Sequence, residues 1–190
     1  MKNYISNQSG RSMIEMLGVL AIVGVLSVAG IAGYSKAMAK YKTNKLIDQL
    51  STVTSNVRTT FAGQGNYKGL SLETGYQLGV FPEEMVKDCD LDGYKYGCVK
   101  NAMGGIVFLI SYQNRPDQFY MTFYNLSKDA CSSIVTADWG GASTFDYFFH
   151  LKTGNTYSAK DIQERAASIA AALCDCKASE NNCQIDVTFK

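Results

Sequence analysis

The chain has 190 residues, 46% apolar and 12% aromatic, with 18 Lys and Arg against 17 Asp and Glu, for a net charge of +1. That composition excludes a disordered chain, a collagen-like repeat and a strongly basic nucleic-acid binder. What remains outside the uncharged run from Met16 to Ser35 is long enough for one modest core.

Residues 1–10 are polar with a single positive charge at Lys2, and the apolar run begins six residues later. As a helix, the twenty residues from Met16 to Ser35 rise about 30 Å, the hydrocarbon thickness of a bilayer. The run is longer than a signal-peptide core, ends in no small-x-small cleavage pattern and is followed by continuing helical periodicity, so a retained helix is expected. Gly18, Gly24, Gly30 and Gly33, with Ala21, Ala29 and Ala32, are small residues of the kind that let helix backbones approach closely in lipid. Glu15 stands one residue before the run. An unpaired charge drawn to mid-membrane costs up to about 3 kcal/mol, so Glu15 requires a partner or a shallow depth.

Beyond Tyr34, the apolar residues Tyr41, Leu46, Leu50, Val53, Val57 and Phe61 recur at three to five residue steps between polar ones, which predicts one apolar face on a continuing helix. A helix from Arg11 to Phe61 would be about 75 Å long, and Gly63, Gln64 and Gly65 would end it. The remainder reads as a meander with helices. Residues 105–112, 118–125 and 144–151 are rich in aromatic and β-branched residues, residues 184–189 alternate apolar with polar, and Asn114 to Asp117 supplies a turn. A short helix is expected over 129–137, and Ser158 and Asp161 form a candidate capping box before the amphipathic series Ile162, Ala166, Ile169 and Leu173. The predicted fold class is α+β: a long N-terminal α-helix packed on a small antiparallel-sheet head with short helices and disulfides. Charge divides along the chain. Residues 11–60 carry six basic and two acidic side chains, residues 61–190 eleven basic and fifteen acidic, which favours association of one copy's helix with another's head.

All six cysteines, at 89, 98, 131, 174, 176 and 183, lie in the head, with no CxxC and one His. This pattern points to disulfides in an oxidising compartment rather than to zinc. Loop closure favours near partners, which predicts Cys89–Cys98 and Cys176–Cys183 and leaves Cys131–Cys174; the main alternative is Cys131–Cys176 with Cys174–Cys183. Lys36, Lys40, Lys42 and Lys45 follow the apolar run while Lys2 and Arg11 precede it. A literal positive-inside count would therefore retain the head in the cytoplasm, against the reading of the cysteines. Asp88, Asp90, Asp92 and Gly93 match the opening of a calcium loop, but the twelfth position is Val99 instead of a bidentate Glu, so calcium is a candidate ligand beside the plain alternative of an acidic turn bracketed by cysteines. His150 has no nucleophile motif near it, and no catalytic residue or required cofactor is expected. An acidic head also disfavours nucleic acid.

Gly10, Arg11, Ser12, Met13, Ile14, Glu15 and Met16, followed by LGVLAIVGVLSVAGIAGY, resemble the class III signal of type IV prepilins and pseudopilins. In that pattern a short basic leader ends in Gly and precedes an apolar helix whose fifth residue is Glu. The order of helix, Cys-bearing turn and final strand is similar, more loosely, to the closing region of type IVb pilin heads. The resemblance implies a leader over 1–10, an N-terminal helix over 11–62 with a transmembrane part at 14–35 and an amphipathic part at 36–62, and a head over 63–190. It also implies cleavage after Gly10 by a prepilin peptidase, methylation of the new amino terminus at Arg11, and pairing of Glu15 with a neighbour's terminus. The implied life history is a precursor in a bacterial inner membrane with its head outside the cytoplasm, then an extracellular pilus built as a homopolymer at an inner-membrane assembly platform. A type II secretion pseudopilin or minor pilin is the near alternative, and a membrane-anchored binding module that never polymerises is the distant one.

Overall fold

A computed structural model describes residues 13–87, 89, 98–139, 145–149, 154–176 and 183–190. It divides into two compact units, Met1–Tyr41 and Lys42–Lys190. One helix, α1 (Met13–Phe61), contributes to both. Within the second unit its buried residues Leu46, Leu50, Val53, Val57 and Phe61 follow three- and four-residue steps, so they share a face. Tyr41, expected on that face, is 60% exposed. The helix ends where the amides of Gln64 and Gly65 both bond the carbonyl of Phe61, at 3.0 and 3.2 Å. Gly65 takes a φ of 68°, a left-handed turn that glycine adopts without strain.

Three short helices, α2 (Leu72–Gln77), α3 (Glu83–Val86) and α4 (Lys128–Thr136), and the longer α5 (Ala159–Leu173) accompany a five-stranded sheet. Its strands are β1 (Val107–Ser111), β2 (Phe119–Leu126), β3 (Phe145–Phe149), β4 (Thr156–Ser158) and β5 (Cys183–Phe189). The order is β1-β2-β5-β3-β4 and every pairing is antiparallel. The expected meander therefore gives way to a sheet whose last strand occupies the centre. Both neighbours of β5 shield it, and its burial reflects this: six of its seven residues are buried. The three-residue β4 and the helices α2 and α3 were not expected from the sequence, and the four predicted strands are present with ends shifted by one to two residues where described.

Alternation gives the sheet two faces. Val107, Leu109, Phe119, Met121, Phe123, Phe148, Ile185, Val187 and Phe189 share one core with the buried residues of α1. On the other face stand Phe108, Tyr120, Thr122, Tyr124, Tyr147, Asp186 and Thr188. The helix and sheet are also tied at their ends. Arg58 donates from Nε and one terminal nitrogen to the Lys190 carbonyl at 3.0 and 2.7 Å and lies 5.8 Å above the Phe189 ring. Asp146 accepts from Lys190 Nζ at 2.7 Å and from Gln118 Nε2 at 2.5 Å.

A tight turn before β1 holds the sheet's outer edge. Asn101 accepts from the amides of Met103 and Gly105 at 2.9 and 3.1 Å and donates to the Tyr124 carbonyl at 2.9 Å. Opposite it, β2 breaks register between Phe123 and Leu126, with Asn125 at a φ of 58°. A Cβ on Gly105 would collide with the Tyr124 carbonyl oxygen. Because that obstacle is backbone, Gly105→Ala should destabilise the head by about 3 kcal/mol, measurable as a lower urea midpoint. A midpoint equal to wild type would show that the turn relaxes freely.

Candidate functional site

The first unit offers the most unusual surface. From Met13 to Tyr34 every residue of α1 is exposed, including Leu17, Leu20, Val25, Leu26 and Ile31, and the helix is long and apolar enough to cross a membrane. Soluble monomers rarely leave such an apolar surface uncovered. Two hydroxyls bond back to the helix itself: Ser27 Oγ donates to the Val23 carbonyl at 2.7 Å and Ser35 Oγ to that of Ile31 at 3.0 Å, which suits an apolar environment. Cβ atoms built on Gly18, Gly24, Gly30 or Gly33 would meet nothing within 4 Å. The chain's own packing therefore does not require these glycines, and their small size is available to another helix. Glu15 is exposed in the first described turn of α1. Gly10 and Arg11 lie outside the described residues.

The head is crosslinked where its elements would otherwise separate. Cys131 of α4 is joined to Cys174 at the end of α5, Cys176 to Cys183 at the start of β5, and Cys89 to Cys98. The Cα separations of 5.8, 5.3 and 5.1 Å lie within the usual disulfide range. Cys131 and Cys174 are fully buried, in the seam where α4 packs on α5. The capping box is present at the other end of α5: Ser158 Oγ accepts from the Asp161 amide, and Asp161 accepts from the Ser158 amide at 2.9 Å. Hydrogen bonds from Ser158 and then Arg165 hold the Asp161 carboxyl below its ordinary range. Of the candidate calcium residues, Asp88, Asp90 and Asp92 lie outside the described residues, as does His150; Val99 is described and is buried in the core. Among the described residues no cluster of His, Cys, Asp or Glu is arranged to hold a metal.

The sheet face turned away from the core carries an aromatic surface that sequence reasoning did not single out. A cavity of about 450 Å³ is lined by Ser71, Glu73, Phe108, Tyr120, Thr122 and Tyr124, among others. Phe108 and Tyr124 meet edge to face at 5.8 Å, Tyr120 packs on Tyr112 at 4.8 Å, and Tyr147 donates to the Tyr112 hydroxyl at 3.3 Å. Burial pushes the phenols of Tyr112, Tyr120 and Tyr124 upward, and the Asp186 carboxylate adds to this at Tyr120 and Tyr124, so all three stay neutral over the physiological range.

Asp186, paired in register with Thr122, is 8% exposed. Burial raises its carboxyl above the ordinary Asp range, opposed by hydrogen bonds from Thr122 and Gln184. The folded state thus holds this proton more tightly than the unfolded chain. The cost of the ionised form is present above the folded pKa and is relieved as pH falls through it towards the unfolded value. Relative to Asp186→Asn, the wild-type head should therefore gain stability between neutral pH and about pH 4. Paired urea titrations across that range check this, since Asp161 is common to both proteins and cancels; a difference independent of pH would contradict the burial argument.

The family model described as PilS N terminal matches residues 40–189. No curated protein matches the chain. Among solved structures, a type IV b pilin from Salmonella typhi is similar at 18% identity and a TM-score of 0.50, covering 77% of this chain and 97% of that one; at that identity the likeness speaks for the fold. With the apolar helix, the helix-packed antiparallel sheet and the disulfide-bonded closing region on the page, the chain belongs to the PilS N-terminal family of type IV pilins.

Proposed function

We propose that this structural subunit is a prepilin, cut after Gly10, which polymerises through α1 into an extracellular type IV pilus and has no enzymatic activity of its own. The observation that carries the reading is the uncovered apolar surface from Met13 to Tyr34. A lipid bilayer covers it before assembly and the helices of neighbouring subunits cover it afterwards, in both cases removing the apolar area from water. The four open glycines allow the close helix approach that a filament core needs. Glu15 supplies the one carboxylate in this apolar stretch. Buried in a bundle it needs a cation, and the freshly cut amino terminus of Arg11 on the next subunit provides one.

The domain organisation follows from this role. Residues 1–10 are the leader, 14–35 span the inner membrane of the precursor, 36–62 join the helix to the head, and 63–190 form the head outside the cytoplasm. Three disulfides favour that side of the membrane over the reducing cytosol. The partners are the prepilin peptidase, an inner-membrane assembly platform and further copies of the chain. Gly10→Val tests the processing step. The variant should accumulate as the uncut precursor in membranes and be missing from filaments, whereas cleavage at the wild-type rate would remove the leader assignment. Abundance decides between major subunit and the pseudopilin or minor-pilin alternative: a major subunit dominates sheared surface filaments, while a tip protein is present only in trace.

A further inference from the structure

We infer that α1 carries, from Tyr34 to Tyr41, a collar that binds the phosphates of anionic phospholipids at the membrane surface. This rests on the reading of Met16 to Ser35 as a membrane span, which a separate arm of the test reads. The uncharged run rises about 30 Å as a helix, so residues 36–41 occupy the next ~9 Å, the depth of the polar headgroup layer. Lys36 is the first charged residue after Glu15, and both Lys36 and Lys40 are exposed. No Asp or Glu occurs between Glu15 and Asp48. Neither lysine therefore has a carboxylate within the three- or four-residue reach of a helical ion pair. Lys45, by contrast, meets Glu84 at 3.7 Å.

The tyrosines are an independent observation. Tyr34 and Tyr41 flank the two lysines and are 66% and 60% exposed, although Tyr41 follows the apolar series of the buried face. Tyrosine concentrates where hydrocarbon meets headgroups, with its ring against the acyl chains and its hydroxyl in the polar layer. Helical spacing puts Lys36 and Lys40, four apart, on one side of α1, and Tyr34 and Tyr41, seven apart, on another. The acidic head of a second copy would approach from one side and engage the lysines alone. A bilayer leaflet surrounds the helix and engages both pairs, which selects lipid over protein. With the head outside the cytoplasm, the lysines stand on the side that the positive-inside rule leaves poor in cations. Anionic phosphates offset that placement, by about fivefold in affinity for each lysine. The collar thereby sets how deep the precursor sits before assembly.

The test titrates the full chain, in a polyoxyethylene detergent, with phosphatidylglycerol or phosphatidylcholine and reads the lipid-bound species by native mass spectrometry. Co-flotation with phosphatidylcholine vesicles reads the membrane span on its own. Wild type should bind phosphatidylglycerol about 25-fold more tightly than phosphatidylcholine. Lys36→Gln with Lys40→Gln should remove most of that preference and leave flotation unchanged. Lys68→Gln with Lys128→Gln, the same charge change on exposed residues of the head, should leave the preference intact. Four results would overturn the collar while flotation retains the span: equal binding of the two lipids, an undiminished preference in the Lys36 and Lys40 variant, an equal loss in the head variant, or binding of glycerol phosphate as tight as that of the whole lipid. Dimers that form in place of lipid adducts and vanish in the Lys36 and Lys40 variant would overturn it in favour of a second copy. Failure of wild type to float would remove the span and the collar together.

Discussion

Cys131→Ser should lower the stability of the head by about 4 kcal/mol, a loss shared with Cys174→Ser and larger than that from replacing any of the other four cysteines. The bond it removes closes a 43-residue separation, against 9 for Cys89–Cys98 and 7 for Cys176–Cys183. In the chain-entropy account these shorter loops are worth only about 2.5 kcal/mol each. The replacement also places a hydroxyl in a fully buried position and leaves the Cys174 thiol unpaired there, which adds to the loss. Urea denaturation of Cys131→Ser beside Cys89→Ser measures the order. Equal midpoints would show that α4 and α5 hold together by packing alone, and recovery of Cys131 linked to Cys176 in non-reducing peptide maps would transfer the long closure to a different partner.

Glu15→Ala should eliminate filaments while leaving the head intact. Glu15 is exposed in the first turn of α1 and takes no part in the core, so the head's unfolding midpoint should move by no more than about 0.5 kcal/mol. On the proposed reading the variant lacks the carboxylate that would neutralise a neighbour's amino terminus inside an apolar bundle, where an unpaired charge costs several kcal/mol. Electron microscopy and quantification of sheared filaments separate these effects. Normal filament yield would remove Glu15 from assembly, and a destabilised head would mean the residue acts within its own chain.

Local signals were legible where chemistry is local. The three- and four-residue spacing from Leu46 to Phe61 located the buried face of α1, Ser158 and Asp161 marked the start of α5, and the aromatic runs marked β1, β2 and β3. The position of β5 was not legible, because its insertion between β2 and β3 depends on partners distant in sequence, and periodicity reports only which residues share a face. The same limit hid Asp186. Alternation in residues 184–189 assigns it to the polar side, yet a central strand flanked by tyrosine-bearing neighbours is shielded on that side too, so the carboxyl is buried. Tyr41 shows the reverse error: it follows the apolar series of α1 but lies one residue before the second unit, and it remains exposed. β4 has three residues and α3 four, too few for a period to register.

Intact-mass spectrometry of surface filaments sheared from the native host decides whether this chain is a processed pilus subunit. This chain should be the dominant protein present, begin at Arg11 and have a mass consistent with three disulfides. Filaments lacking the chain, or carrying it with Met1 and the first ten residues still attached, would contradict it.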